Sequence, residues 1–149
     1  MNKVKYLLTY RYAEIIHDLT FEFVKTYIDY RSRTRDQMEQ AARSGKQNIV
    51  EGVGQSQTSK SGEIKLLGVA KASFEELLAD FEDYLRQNNL KIYDKNDPRI
   101  TSLRQIAYRL SSQETYLLDR QIKAAMEKFA KEGGVREKLF TARKKYRGF

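Results

Sequence analysis

The chain has no cysteine and no tryptophan, a single proline and a single histidine in 149 residues. Without cysteine there is no disulfide framework, no thiolate nucleophile and no cysteine-ligated zinc, a pattern compatible with a reducing cytoplasm, the expected location. The opening segment has two lysines but lacks an uninterrupted apolar h-region and a small-residue cleavage site. No later apolar run approaches membrane-spanning length, so a soluble chain without a membrane partner is expected. There is no strand pattern, no glycine-rich loop following a strand, no internal repeat and no low-complexity tract.

What is present in excess is positive charge, and its placement matters more than its total of +8. Residues 1 to 50 carry +3, residues 51 to 119 carry −2, and residues 120 to 149 carry +7. Nearly all the excess therefore sits at the C-terminal end, where it forms an electrostatic footprint for phosphate or another polyanion, or else a solubilising tail.

The hydrophobic pattern is helical throughout. Leu8, Tyr12, Ile15, Leu19, Phe23 and Tyr27 recur at three or four residues and predict a helix from Tyr6 to Arg31 with that stripe buried. Thr34 followed by Gln37 has the form of a capping box, opening a second helix through Met38, Ala42, Gly45, Ile49 and Gly52 to Gly54. After the polar connection from Gln55 to Gly62, a third helix is marked by Ile64, Leu67, Lys71, Phe74, Leu78, Phe81 and Leu85, and ends at Asn88 and Asn89. Asp97 and Pro98 look like the N-cap and first turn of a fourth helix. Ile100, Leu103, Ile106, Leu110, Leu117, Ala124 and Ala125 carry it to Lys131, and Gly133 and Gly134 stop it. These elements predict an all-α chain: an antiparallel up-and-down four-helix bundle over residues 1–132, with a basic C-terminal segment over 133–149. In that segment Val135, Leu139, Ala142, Tyr146 and Phe149 share one face and basic residues cover the rest, a short amphipathic helix. Alone it is marginal, and its stripe needs the bundle, a neighbouring subunit, a partner or a lipid surface.

One stretch is unusual for a packed helix. Ala41, Ala42, Gly45, Ile49 and Gly52 make a face of mostly small residues, with the glycines one heptad apart. Each glycine costs a helix interior roughly 1 kcal/mol against alanine, so a second helix backbone is expected close to this face. Ser44, Asn48 and Glu51 border it and need partners, either to clamp the neighbouring helix or to hold a turn.

Ser44-x-x-x-Asn48-Ile49-x-Glu51-Gly52, followed by Ala70-Lys71-x-Ser73-x-x-Glu76-Leu77, resembles the four-helix-bundle family of 23S ribosomal RNA intervening-sequence proteins. That family also includes the accessory protein of diversity-generating retroelements. The similarity covers helices one to three well and helix four loosely. It departs at Lys46, where proline is frequent, and at Ala72, where a small glycine is usual. It implies a bundle that assembles into rings, of five subunits where assembly has been seen, without enzymatic activity, and structural roles for Ser44, Asn48, Glu51, Gly52, Ser73 and Glu76. For the retroelement member it further implies a basic surface that binds nucleic acid and a reverse transcriptase. The segment after Gly134 resembles an addition found in a subset of the family, and no function carries over onto it.

Other constellations carry less. Glu14-Ile15-Ile16-His17 has the spacing of a carboxylate-bridged di-iron ligand pair, but such a site needs a second histidine and the chain has none. The acidic run Glu75, Glu76, Asp80, Glu82 and Asp83 reads as a solvated helix face flanked by Lys71 and Arg86 rather than a cation site, and the resemblance sets Glu76 apart as a structural partner such as one for a neighbouring helix. No nucleophile and base can be paired by spacing, and no cofactor or metal is implied. Among the ten tyrosines, Tyr12 and Tyr27 fall on the first stripe and read as core, while Tyr146 adjoins Lys144, Lys145 and Arg147. The expectation is a non-enzymatic homo-oligomer that binds RNA or DNA backbone through Lys123, Lys128, Arg136, Lys138, Arg143, Lys144, Lys145 and Arg147. The alternative is a protein-interaction scaffold whose tail docks on a partner or clasps the next subunit.

Overall fold

A computed structural model describes residues 3–133 and 135–146, with side chains for all of these except residues 135–137. The described chain is all-helical. A short 3-10 turn, Lys3–Tyr6, leads into α1 (Leu8–Tyr27), α2 (Arg33–Gly54), α3 (Lys60–Gln87), α4 (Leu103–Glu132) and α5 (Val135–Tyr146). α1 packs on α2, α2 on α3, α3 on α4, and α4 back on α1, the neighbour order of an antiparallel up-and-down bundle.

The helix ends follow from local chemistry, and two differ from the sequence expectation. Ser32, not Thr34, caps α2: its Oγ accepts the backbone N–H of Thr34 at 3.2 Å. Asp97 and Pro98 do not open α4. The Asp97 carboxylate accepts the backbone N–H of Arg99 at 2.9 Å and its guanidinium at 3.0 and 2.7 Å, closing a turn. Those bonds to Arg99 pull the Asp97 carboxyl down to about 2. The helix waits for Ser102, whose Oγ caps the N–H of Gln105. Asn89 terminates α3 with φ 56° while Leu90 N–H reaches back to the carbonyl of Leu85 at 2.8 Å. Gly133 (φ 72°) ends α4. Gln105 Nε2 then pins the long α3–α4 connection by donating to the carbonyl of Lys91 at 2.9 Å.

The core is centred on Phe23, Phe74 and Phe81, with the Phe23 ring edge-on to both Phe81 and Tyr84 at 4.9 Å. In α2 the buried face is the one expected: Met38, Ala42, Gly45, Ile49 and Gly52, joined by Ala41. In α3 it is Leu67, Phe74, Phe81 and Leu85 with Glu63, Ala70 and Leu77 added, and Lys71 at its edge bonded to Asp119 of α4 at 3.1 Å.

α1 and α4 are rotated away from their most apolar stripes. α1 buries Thr9, Ala13, Ile16, Thr20, Phe23 and Val24, leaving Leu8 52% and Ile15 48% exposed and Tyr12 and Leu19 half-buried. α4 buries Gln105, Ala107, Ser111, Glu114 and Leu118, leaving Leu103, Ile106, Leu110 and Leu117 half-buried. The Thr9 hydroxyl donates to Gln121 Oε1 at 2.6 Å across the α1/α4 seam. The displaced stripes therefore flank the α1/α4 seam on its outer side.

α5 is not packed into the bundle. Among the described residues it shares no extensive contact with any other helix, and residues 138–146 are all exposed.

Candidate nucleic-acid interface

The basic residues expected to meet phosphate fall in three groups. Lys138, Arg143, Lys144 and Lys145 stand exposed on α5, and among the described residues no carboxylate pairs with them. Lys128 is exposed near the end of α4. Lys123, also on α4, is tied to Asp119 at 2.9 Å, and Asp119 is held below its ordinary value by its bonds to Lys123 and then Lys71. Lys123 is thus partly neutralised by a carboxylate one turn earlier on its own helix, a spacing present in the sequence. Arg147 and the Arg136 side chain lie outside the described residues, as do the Val135 side chain and Phe149 from the expected apolar stripe.

α5 carries apolar side chains as conspicuously as cations. Leu139 is 55%, Phe140 68% and Tyr146 93% exposed. Leu139, Ala142 and Tyr146 lie three and four residues apart on one face, with Lys138 and Lys145 along one margin and Arg143 along the other. Such an arm can offer cations to phosphate and rings to bases, or an apolar ridge with charged borders to a protein groove.

The motif residues of α2 and α3 come together at one place. Asn48 Nδ2 donates to the carbonyl of Ser44 at 2.8 Å and to Ser44 Oγ at 3.2 Å, while Ser73 Oγ of α3 donates to Ser44 Oγ at 3.2 Å. Asn48 therefore turns back on its own helix, and Ser44 carries the link across. Gly52 is a close-approach position: a Cβ there would sit 3.3 Å from Leu66 Cβ and 3.4 Å from the carbonyl of Glu63. Glu51 is exposed and clamps nothing among the described residues. Glu76 is exposed too, so the expected clamp of a neighbouring helix is absent from the described bonds; it borders a groove shared with Asp36, Gln40, Ala41, Ser44 and Ser73.

His17 is half-buried, with its pKa lowered by burial first and then by Lys46. Among the described residues no group of three or more His, Asp or Glu side chains is placed to hold a metal ion, and no helix is long and apolar enough to cross a membrane. In the acidic run of α3, Glu75 pairs with Lys71 at 3.6 Å and Asp83 with Arg86 at 3.2 Å. Asp80 is pushed above its ordinary value by burial and then by the like charges of Glu76 and Asp83.

One polar group escapes sequence reasoning. Glu114 is fully buried in α4, neither carboxylate oxygen has a hydrogen-bond partner, and burial pushes its pKa up to about 9. It is neutral at pH 7. Its spacing is the available signal: Ala107, Ser111, Glu114 and Leu118 form a four-three-four stripe masked by the stronger leucine stripe beside it.

Comparison with protein families, with curated proteins and with solved structures found no match.

Proposed function

We propose that the protein is a non-enzymatic, cytoplasmic helical bundle that assembles into homo-oligomers and binds nucleic-acid backbone through its basic C-terminal arm. The observation that carries this reading is α5 itself, which holds Lys138, Arg143, Lys144 and Lys145 in solvent, away from the bundle and without carboxylate partners among the described residues. Phosphate contacts of this kind supply affinity without reading sequence. Assembly is supported by Leu8 and Ile15, about half exposed on α1 beside the half-buried Tyr12 and Leu19. Membership of the intervening-sequence bundle family, with its five-subunit ring, is part of the proposal. It is supported by the convergence of Ser44, Asn48 and Ser73 from the two motif halves. The exposure of Leu139, Phe140 and Tyr146 favours a second reading, in which the arm binds a protein.

The deciding experiment is a mobility-shift titration with RNA and with DNA across a salt series, on the parent and on a variant with Lys138, Arg143, Lys144 and Lys145 changed to Gln. Nucleic-acid binding predicts uniform weakening in the variant and a log–log salt slope flatter by about 0.7 to 0.9 for each phosphate that is no longer neutralised. No affinity in the parent at low salt, or equal affinity in the two proteins, removes this reading and leaves the scaffold.

A further inference from the structure

The counterpart of α5 lies on the opposite side of the same molecule. Along α3, residues 73, 76, 80, 83 and 87 follow one another at three- and four-residue spacing and line two successive grooves on the α2 side. Tyr27, Ile28 and Tyr84 give the groove at the far end accessible apolar surface; Asp29, Asp36, Glu76, Asp80 and Asp83 supply acid, and no lysine or arginine lines either groove. Asp80 is raised first by burial and then by the like charges of Glu76 and Asp83, and of the groove carboxylates Asp83 pairs with a cation among the described ion pairs, Arg86 at 3.2 Å.

We propose that α5 of one copy seats in this acidic α2/α3 groove of a second copy. The pairing is complementary in chemistry: Lys138, Lys145 and Arg143 meet the groove carboxylates, and the ridge of Leu139, Ala142 and Tyr146 meets Tyr27, Ile28 and Tyr84 at the groove's apolar end. It is complementary in length. Ser73 to Gln87 spans about 21 Å of helix, and the twelve residues of α5 span about 18 Å.

The occupant cannot be the chain's own arm. Lys71 and Asp119 are bonded side by side, and Glu132 lies thirteen residues beyond Asp119, about 20 Å towards the start of α3. An arm folded back from Gly133 would spend its roughly 18 Å before reaching Ser73, and α3 would still stand between it and the groove. Arm into groove is a head-to-tail contact, which closes into a ring or runs on as a filament according to its rotation. The inference stands apart from nucleic-acid binding, although phosphate would compete for the same cations.

The absence of native cysteine makes a direct test clean. Ala142→Cys on the arm and Gln40→Cys in the groove are placed on separate full-length proteins, mixed and oxidised, with Ala124→Cys on exposed α4 replacing Gln40→Cys as the control. The arm-to-groove pair should cross-link at least about tenfold faster than the control, less so at high salt. Reversing the arm (Arg143→Glu, Lys144→Glu, Lys145→Glu) or the groove (Asp36→Lys, Glu76→Lys, Asp83→Lys) should each abolish that advantage, and combining the two reversed proteins should restore it. Circular dichroism confirms that each variant is folded. A cross-linking rate equal to the control, or one indifferent to the reversals, overturns the proposal. Nucleic-acid affinity is read on the same proteins: binding lost in the reversed arm and kept in the reversed groove belongs to the previous reading, which can fail while the cross-link stands.

Discussion

A Cβ placed on Gly45 would lie 2.5 Å from Cε2 of Phe74, inside the ring's contact distance. Gly45 on α2 is therefore the seat of the central aromatic of α3, and the fully buried Phe74 has no solvent into which it can retreat. Helix propensity alone predicts that Gly45→Ala stabilises by about 1 kcal/mol. Overpacking should reverse the sign and cost about 1 to 3 kcal/mol. Gly52→Leu should also destabilise, since a Cβ there would already lie 3.3 Å from Leu66 and 3.4 Å from Leu67, before the rest of the side chain is added. Gly54→Ala meets nothing within 4 Å and serves as the control that follows propensity. Thermal melting of the three variants is sufficient, and a higher melting temperature for Gly45→Ala or Gly52→Leu would remove close packing as the reason for these glycines.

Glu114 makes stability depend on pH in a direction opposite to that of a paired carboxylate. Its ordinary value is 4.5 and burial raises it to about 9, so between those limits the folded chain keeps a proton that the unfolded chain releases. Stability from this group is full below pH 4.5 and falls by about 1.4 kcal/mol per pH unit as the pH rises towards 9. Glu114→Gln should abolish that slope, matching the parent near pH 5 and exceeding it at pH 8. Urea unfolding at several pH values reads this directly, and parallel profiles for parent and variant would show that Glu114 is ionised or solvated in the fold.

The contrast between helices explains which parts of the fold are legible in the sequence. α2 has one apolar stripe and no competitor, so Met38, Ala42, Gly45, Ile49 and Gly52 can be read from periodicity alone. α1 and α4 each carry two overlapping stripes, and hydrophobicity favours the less buried one, of which Phe23 is fully buried and Tyr12, Leu103 and Leu110 pack against the core while Leu8 and Ile15 stay exposed. Ala13, Thr20, Ala107, Ser111 and Glu114 are buried although more apolar residues lie beside them, because the face that turns inward is set by the helices packed against it, a property that neither helix reveals alone. The start of α4 is illegible for a related reason: Asp97 is a good cap in isolation, but Arg99 claims its carboxylate. Of the candidate interface, the charge and apolar faces of α5 are readable, as is the one-turn spacing of Asp119 and Lys123, whereas the sharing of Asp119 with Lys71 depends on the register of α3 against α4.

The monomeric bundle should be indifferent to its arm. Since α5 shares no extensive contact with any other helix among the described residues, ending the chain after Gly133 should leave the melting temperature and the helical signal per bundle residue unchanged at dilutions where the protein is monomeric. At concentrations where arms are exchanged between copies the same truncation should lower the melting temperature. A clear drop in the dilute, monomeric protein would mean that α5 stabilises its own bundle, and would undo the reach argument made for a second copy.

The outer face of the α1/α4 seam gives the last prediction. Leu8 and Ile15 are about half exposed on the stripe that also holds Tyr12 and Leu19, and Leu110 and Leu117 lie half-buried on α4. In an isolated bundle, Leu8→Glu with Ile15→Glu should hardly affect folding, because neither side chain is in the core. In an assembly that covers this seam, the same pair places two charges in an apolar contact, where an unpaired charge is strongly unfavourable. The variant should then keep its helical signal and lose mass in light scattering. If it instead keeps the parent's mass, the seam is not the assembly face, and the arm-to-groove contact would have to hold any oligomer by itself.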